Sequence, residues 1–239
     1  MTQLPHGRQY NPFNPLDKGN LGESVLSELL KQPVLPMPRP RPLSGGNRRQ
    51  PSPTPSFIGA GVYAIYYIGE HAPFPPYDLL AIANRDEKWG KPLYVGKADP
   101  KGSRSGQTLT LEPGTALFDR LVLHSESIEG ADNLALNDFF YRALTVDDAF
   151  IGLGEVVVIQ QLSPLWNSVG QGFGSKVVGS GRSNQKRSRW DTLHPGRPGM
   201  GQSEPKIPLD RLIELISLQL AGAIEVTPLP EDEDDTGEG

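Results

Sequence analysis

Order along the chain begins near Phe57, and the first apolar run after it is Gly61-Val62-Tyr63-Ala64-Ile65-Tyr66-Tyr67-Ile68-Gly69. Its β-branched and aromatic content predicts a strand. A long connection carrying Pro73, Pro75, Pro76 and Trp89 follows, and Pro92-Leu93-Tyr94-Val95-Gly96-Lys97 then reads as a second strand. Leu117, Phe118, Leu121, Val122 and Ile128 recur at helical spacing after a start at Glu112 or Thr115. Residues 139–146 predict a third strand. Asp147 and Asp148 are good caps for a helix over about residues 149–162, with Ile151, Val158, Ile159 and Leu162 among its apolar positions and Pro164 ending it. The order strand, strand, helix, strand, helix places the chain in the α+β class. A last helix over residues 209–221 carries Leu209, Leu212, Ile213, Ile216 and Leu220 on one stripe, which reads as core packing.

The flanks have a different texture. Residues 1–56 are rich in proline and polar side chains. The run Gln32-Pro33-Val34-Leu35-Pro36-Met37-Pro38-Arg39-Pro40-Arg41-Pro42 excludes a regular helix or a central strand and predicts an extended arm or linker. A short helix near residues 21–30 places Val25, Leu26, Leu29 and Leu30 on one face. The expected division is a proline-rich arm over 1–56, a core over 57–170, a glycine-rich basic extension with the amphipathic helix over 171–228, and an acidic tail over 229–239.

Composition narrows the chemistry. The absence of cysteine excludes disulfides, thiolate zinc sites and a cysteine nucleophile. Four scattered histidines make a poor zinc set. No apolar run reaches the length of a membrane span, and the N-terminus lacks a signal-peptide pattern. The expectation is a cytoplasmic, prokaryotic protein with no membrane contact.

The net charge of −5 argues at first against a nucleic-acid partner. Its distribution reverses that. Glu231-Asp232-Glu233-Asp234-Asp235 and Glu238 form a tail, best read as a solubilising end, and without those six acids the charge is +1. Between Gln171 and Lys206 stand seven bases, Lys176, Arg182, Lys186, Arg187, Arg189, Arg197 and Lys206, against Asp191 and Glu204, a net of +5. Such a segment suits phosphate contact.

Singly, the candidate site residues are ordinary. Tyr63 and Tyr94 fit strand tyrosines. Arg120 and His124 stand four apart, share a helix face and as a pair read as a surface feature. Glu155 fits a solvated helix acid, and Asn167 a turn. As an ordered set, Gly61-Val62-Tyr63, Leu93-Tyr94-Val95-Gly96-Lys97, Arg120, His124, Glu155 and Asn167 resembles the GIY-YIG nuclease pattern over roughly residues 57–167. Valine replaces isoleucine in both motifs, a swap strands tolerate. The gap from Tyr63 to Tyr94 is far longer than the family's usual gap and implies an insertion over about residues 70–90. Tyr67-Ile68-Gly69 offers another second tyrosine, but Tyr94 is followed by Lys97 at the spacing of the restriction subgroup. Pro164-Leu165-Trp166-Asn167, Gly172-Phe173-Gly174 and the stretch from Arg187 to Arg197 are similar to type II restriction endonucleases that cut CCGCGG.

The resemblance implies a small, mainly antiparallel GIY-YIG sheet of three strands flanked by helices. It implies Mg²⁺-dependent hydrolysis of double-stranded DNA, with Mn²⁺ able to substitute. Phosphodiester hydrolysis needs an activated water, neutralised phosphoryl charge and help for the leaving oxygen. Glu155 would hold the single metal, since magnesium completes its shell with water and phosphate. Tyr63 would take the water's proton. His124 would accept the tyrosine proton or orient the ring. Lys97 or Arg120 would supply positive charge, Tyr94 would position water or phosphate, and Asn167 would fix the geometry. Arg182, Lys186, Arg187 and Arg189 are candidates for DNA contact, and a palindromic target suits a homodimer. The alternatives are a repair or homing nuclease of the same superfamily and a non-catalytic DNA-binding protein.

Overall fold

The computed structural model describes residues 14, 17–40, 57–100, 114–174, 186–197 and 203–223. Strand β2 (Gly61–Tyr67) lies inside a four-stranded sheet completed by β1 (Leu35–Pro36), β3 (Tyr94–Ala98) and β4 (Phe139–Thr145). The order is β1-β4-β2-β3, and every neighbouring pair is antiparallel. All of β2 is buried because helices cover both faces, which is why its sequence shows no apolar–polar alternation. Helices α1 (Lys18–Lys31) and α4 (Asp148–Leu162) cover one face over Leu29, Val62, Ala64, Tyr66, Val95, Ile151 and Val158. Helices α2 (Tyr77–Asn84), α3 (Ala116–Glu129), α5 (Arg189–Leu193) and α6 (Leu209–Leu220) lie on the other, where Tyr63, Ile65, Tyr67, Leu121, Trp166, Trp190, Leu212 and Ile216 form the larger core.

The mixed α+β class holds, and the predicted three-strand sheet has a fourth strand. β1 pairs Leu35 with Tyr141 and Pro36 with Phe140, and Met37 N–H donates to the Phe139 carbonyl at 3.1 Å. Proline has no N–H to give, so this strand is confined to the sheet's edge. Residues 18–37 are therefore joined to the core and not part of a free arm: α1 packs on α4, and Leu29 is fully buried. The Val25–Leu26–Leu29 stripe needed an apolar neighbour, and α4 supplies it.

The excursion between β2 and β3 folds back on the core. α2 begins directly after Pro75-Pro76. Asn84 closes the excursion's base, donating to the carbonyls of Tyr67 (3.0 Å) and Lys91 (2.8 Å) and accepting from Lys91 N–H (2.9 Å). Tyr77 is fully buried. Its hydroxyl accepts from the Trp166 indole at 2.8 Å and lies 2.9 Å from Nε2 of His194. His194 Nδ1 lies 3.0 Å from the Asn133 side-chain oxygen, whose amide nitrogen donates to the Leu193 carbonyl. An amide oxygen only accepts, so Nδ1 carries the proton and the Tyr77 hydroxyl donates to Nε2. This network ties α2 to α5 and to the turn before Asn167.

Candidate active site

Pairing register decides which side chains meet. Tyr63 stands opposite Gly96, and Val62 opposite Lys97. Successive residues on a strand point to opposite faces, so Tyr63, Tyr94 and Gly96 share the α3 face while Lys97 lies on the α4 face. Gly96 leaves the room that the two tyrosine rings occupy. A β-carbon there would collide with the Tyr63 hydroxyl and would lie 2.8 Å from the Tyr94 ring.

On the α3 face the Tyr63 hydroxyl lies 2.6 Å from Nε2 of His124, and both residues are fully buried. The rings of Tyr63, Tyr94 and His124 are mutual neighbours, with centroids 5.2 to 6.1 Å apart. The Arg120 guanidinium and the Tyr94 hydroxyl also hydrogen-bond to Tyr63 and favour its ionised form. Burial pushes the Tyr63 hydroxyl up to about 12, against the pull of Arg120 and with a further push from the Glu155 carboxylate. Burial holds His124 well below its usual value, and the positive charges of Arg120 and Arg197 act in the same direction. At neutral pH the pair is a phenol on a neutral imidazole.

On the other face, α4 presents Glu155, whose side chain is 15% exposed, with its carboxylate 3.6 Å from Lys97 Nζ. Lys97 also lies 4.0 Å from the Asp99 carboxylate. Among the described residues no three or more histidines or acids cluster as a ready-made metal cage. A partly exposed carboxylate such as Glu155 fits a magnesium that draws its other ligands from water and phosphate. Asn167 works on the backbone: its side-chain oxygen accepts from Val95 N–H at 2.8 Å, and its amide donates to the Val95 carbonyl at 2.7 Å. That fixes β3 between Tyr94 and Gly96.

Tyr67, the other candidate for the second tyrosine, packs on Tyr77 and Phe139 and donates to the His71 carbonyl at 3.3 Å. It lies in the same core under α2, linked to Tyr94 and His124 through Phe139, Trp166 and Phe173. Of the four bases expected at DNA, Arg182 lies outside the described residues. Lys186 is exposed. Arg187 is half-buried and gives two N–H groups to the Ser203 carbonyl, at 3.2 and 3.0 Å. Arg189 is half-buried and reaches the Ser168 carbonyl at 3.5 Å.

Two neighbours of this site stand in the motifs quoted for the restriction subgroup, but sequence reasoning gave neither a role at the tyrosines. Phe173 stacks on His124 at 4.4 Å and 15°. Arg197, counted only as a surface base, is 7% exposed and ion-paired with Asp191 at 2.7 Å. The available signal was its place beside Trp190 and Asp191, an aromatic and one of the few acids in that stretch.

No curated protein sequence matches the chain. Residues 55–214, about two-thirds of the chain and all of the site just described, match the family described as the Eco29kI GIY-YIG domain. With its antiparallel sheet between helices and its tyrosines on adjacent strands, the chain belongs to that GIY-YIG nuclease family.

Proposed function

We propose that the protein is a type II restriction endonuclease of a restriction–modification system, hydrolysing double-stranded DNA as a homodimer at a GC-rich palindrome. The target CCGCGG rests on the resemblance of residues 164–197 to that subgroup. The observation carrying the catalytic reading is the Tyr63 hydroxyl, held at 2.6 Å by His124 and hydrogen-bonded by Arg120 and Tyr94, with Glu155 and Lys97 just past Gly96. Family membership supports a nuclease and a divalent cation. Among the described residues no helix is long and apolar enough to cross a membrane.

Tyr63 takes the proton of the attacking water. Its raised value makes it a poor base as it stands, and the Glu155 charge contributes to that. When bound on Glu155, Mg²⁺ (or Mn²⁺) supplies charge neutralisation for the phosphate and the departing 3′-oxygen. The Arg120 charge favours the phenolate against the burial that opposes it. His124 orients Tyr63 and, as the phenolate forms, accepts its proton across their short hydrogen bond; the ring rests neutral, because burial, Arg120 and Arg197 oppose a standing imidazolium. Arg120 holds the scissile phosphate through its planar fork. Tyr94 positions the water or a phosphate oxygen. Lys97, on the Glu155 side, adds positive charge. Lys186, Arg189 and Arg182 contact phosphates, and Arg187 contributes less because the Ser203 carbonyl takes two of its donors.

Digesting a sequenced plasmid with purified protein and Mg²⁺, then reading the fragment ends, tests the proposal. Discrete cuts at one palindrome are expected. Scattered or structure-dependent nicks would point to a repair or homing nuclease, and binding without cutting in Mg²⁺ or Mn²⁺ would remove the enzymatic reading.

A further inference from the structure

The buried Arg197 has no counterpart in the catalytic set. Its Nε and Nη2 donate to one oxygen of Asp191, at 2.8 and 2.7 Å, and Ser188 Oγ donates to the other at 2.5 Å. The guanidinium lies 4.6 Å over the Trp190 ring. Its outer nitrogens reach the Ser127 hydroxyl on α3 and the Gly172 carbonyl, each at 3.4 Å. Gly172 precedes Phe173, which packs on Tyr94 (5.0 Å), Trp166 (4.4 Å) and Trp190 (5.3 Å) besides stacking on His124.

The turn carrying Phe173 tolerates little change. Gly172 and Gly174 have φ of +105° and +72°, a region other residues rarely adopt. A β-carbon at Gly172 would lie 2.5 Å from Ser188 Cβ, and one at Gly174 would lie 2.5 Å from the His124 ring. Among the described residues the buried His124 Nδ1 has no hydrogen-bond partner. Metal-bound and catalytic histidines are commonly oriented by a polar group on the second nitrogen. Here the ring is gripped by stacking and close backbone instead.

We propose that Arg197 and Phe173 are positioning residues for the Tyr63–His124 pair, and that Arg197 is not a DNA contact. Arg197 pins the Gly172 carbonyl, the turn presses Phe173 onto His124, and the stacked imidazole holds the Tyr63 hydroxyl. The basic extension thus serves the reaction from inside the fold. This rests on the nuclease reading above for its kinetic consequence, and on the geometry alone for its effect on His124.

The test uses the full chain carrying Phe173→Leu, Arg197→Gln or Arg197→Lys, checked for folding by circular dichroism. His124 ring signals are followed by ¹⁵N NMR, and cleavage of a duplex containing the mapped site is followed in single turnover. The titratable and charged groups facing His124 are Tyr63, Tyr94, Arg120 and Arg197. In the wild type His124 should show one neutral form across the ordinary titration range of a histidine. Phe173→Leu and Arg197→Gln should let the ring titrate inside that window and slow cleavage by ~10–100-fold at saturating DNA. Arg197→Lys keeps the charge without the planar fork, and so should leave His124 neutral while slowing cleavage less. The salt slope of duplex binding should be unchanged, whereas loss of a phosphate contact lowers it by about 0.9. A lowered slope with normal cleavage at saturation, or His124 signals identical in all variants, would overturn the proposal. Should the wild type cut no DNA, the nuclease reading falls, and the His124 signals alone still decide the positioning role.

Discussion

Tyr63 Oη and His124 Nε2 lie 2.6 Å apart, and neither residue meets solvent. Tyr63→Phe removes the hydroxyl and leaves the imidazole nitrogen unpaired. Single-turnover cleavage is expected to fall by ~10²–10⁴-fold, the range of a lost general base, with duplex binding retained. Cleavage within about tenfold of wild type would shift the proton-accepting role away from Tyr63.

Glu155 stands against Lys97 at 3.6 Å, and its charge raises the Tyr63 hydroxyl. Glu155→Gln keeps the shape and removes the charge. It should abolish cleavage, and excess Mg²⁺ should not restore it, while gel-shift affinity for the duplex is preserved. EDTA should silence the wild type reversibly. Mg²⁺-restored cutting by the variant would place the metal elsewhere.

Gly96→Ala tests the room left for the two tyrosine rings. Its methyl group would displace the Tyr63 hydroxyl and crowd the Tyr94 ring. Overpacking of this kind costs about 1–3 kcal/mol. Urea denaturation should report that loss, and cleavage should fall further than stability explains. An active, fully stable variant would mean β3 can shift away from β2 at low cost.

His194 is fully buried and pushed down to about 3 by desolvation, and His124 is also held well below its usual value. Both are neutral in the fold and protonate in the unfolded chain below about pH 6.5. The unfolded state therefore binds more protons, and stability falls as pH drops below that value. Each histidine contributes a slope of roughly 1.4 kcal/mol per pH unit, continuing for His194 until pH nears its folded value. Denaturation at pH 5.5 should show uptake of close to two protons, on the order of one per buried histidine. Uptake near zero would mean the rings are hydrated.

Much of this architecture was readable because its elements carry strong local signals. Asp147 caps α4 as expected, its side chain accepting from Ala149 N–H. The stripe on α6 is buried at Leu212 and Ile216. β1 was illegible because two paired residues in a proline run leave no period to detect. α2 was legible in principle, since Pro75-Pro76 ahead of Tyr77-Asp78-Leu79-Leu80 is a helix-start signal. At the site, the order of motifs brought Tyr63, Tyr94, Arg120 and His124 together on paper, and the fold brings them together in space. Helical spacing alone suggested a surface pair for Arg120 and His124. Tertiary packing of Phe173 decided otherwise, and no local pattern reports packing between residues 49 positions apart. Arg197 was misread for a related reason: charge counts treat a buried ion-paired base like an exposed one.

Asn167 has a further consequence for the outer edge of β3. An edge strand offers bare N–H and C=O groups on which another chain can add a strand. At Val95 both groups are already taken by one side-chain amide, so the rail is closed where a foreign strand would begin to zip on. An Asn167→Ala chain should thus become sticky as well as slow, gaining edge-to-edge oligomers in light scattering. Together with Trp166, whose backbone N–H donates to the Leu93 carbonyl, this asparagine keeps the sheet from growing past β3.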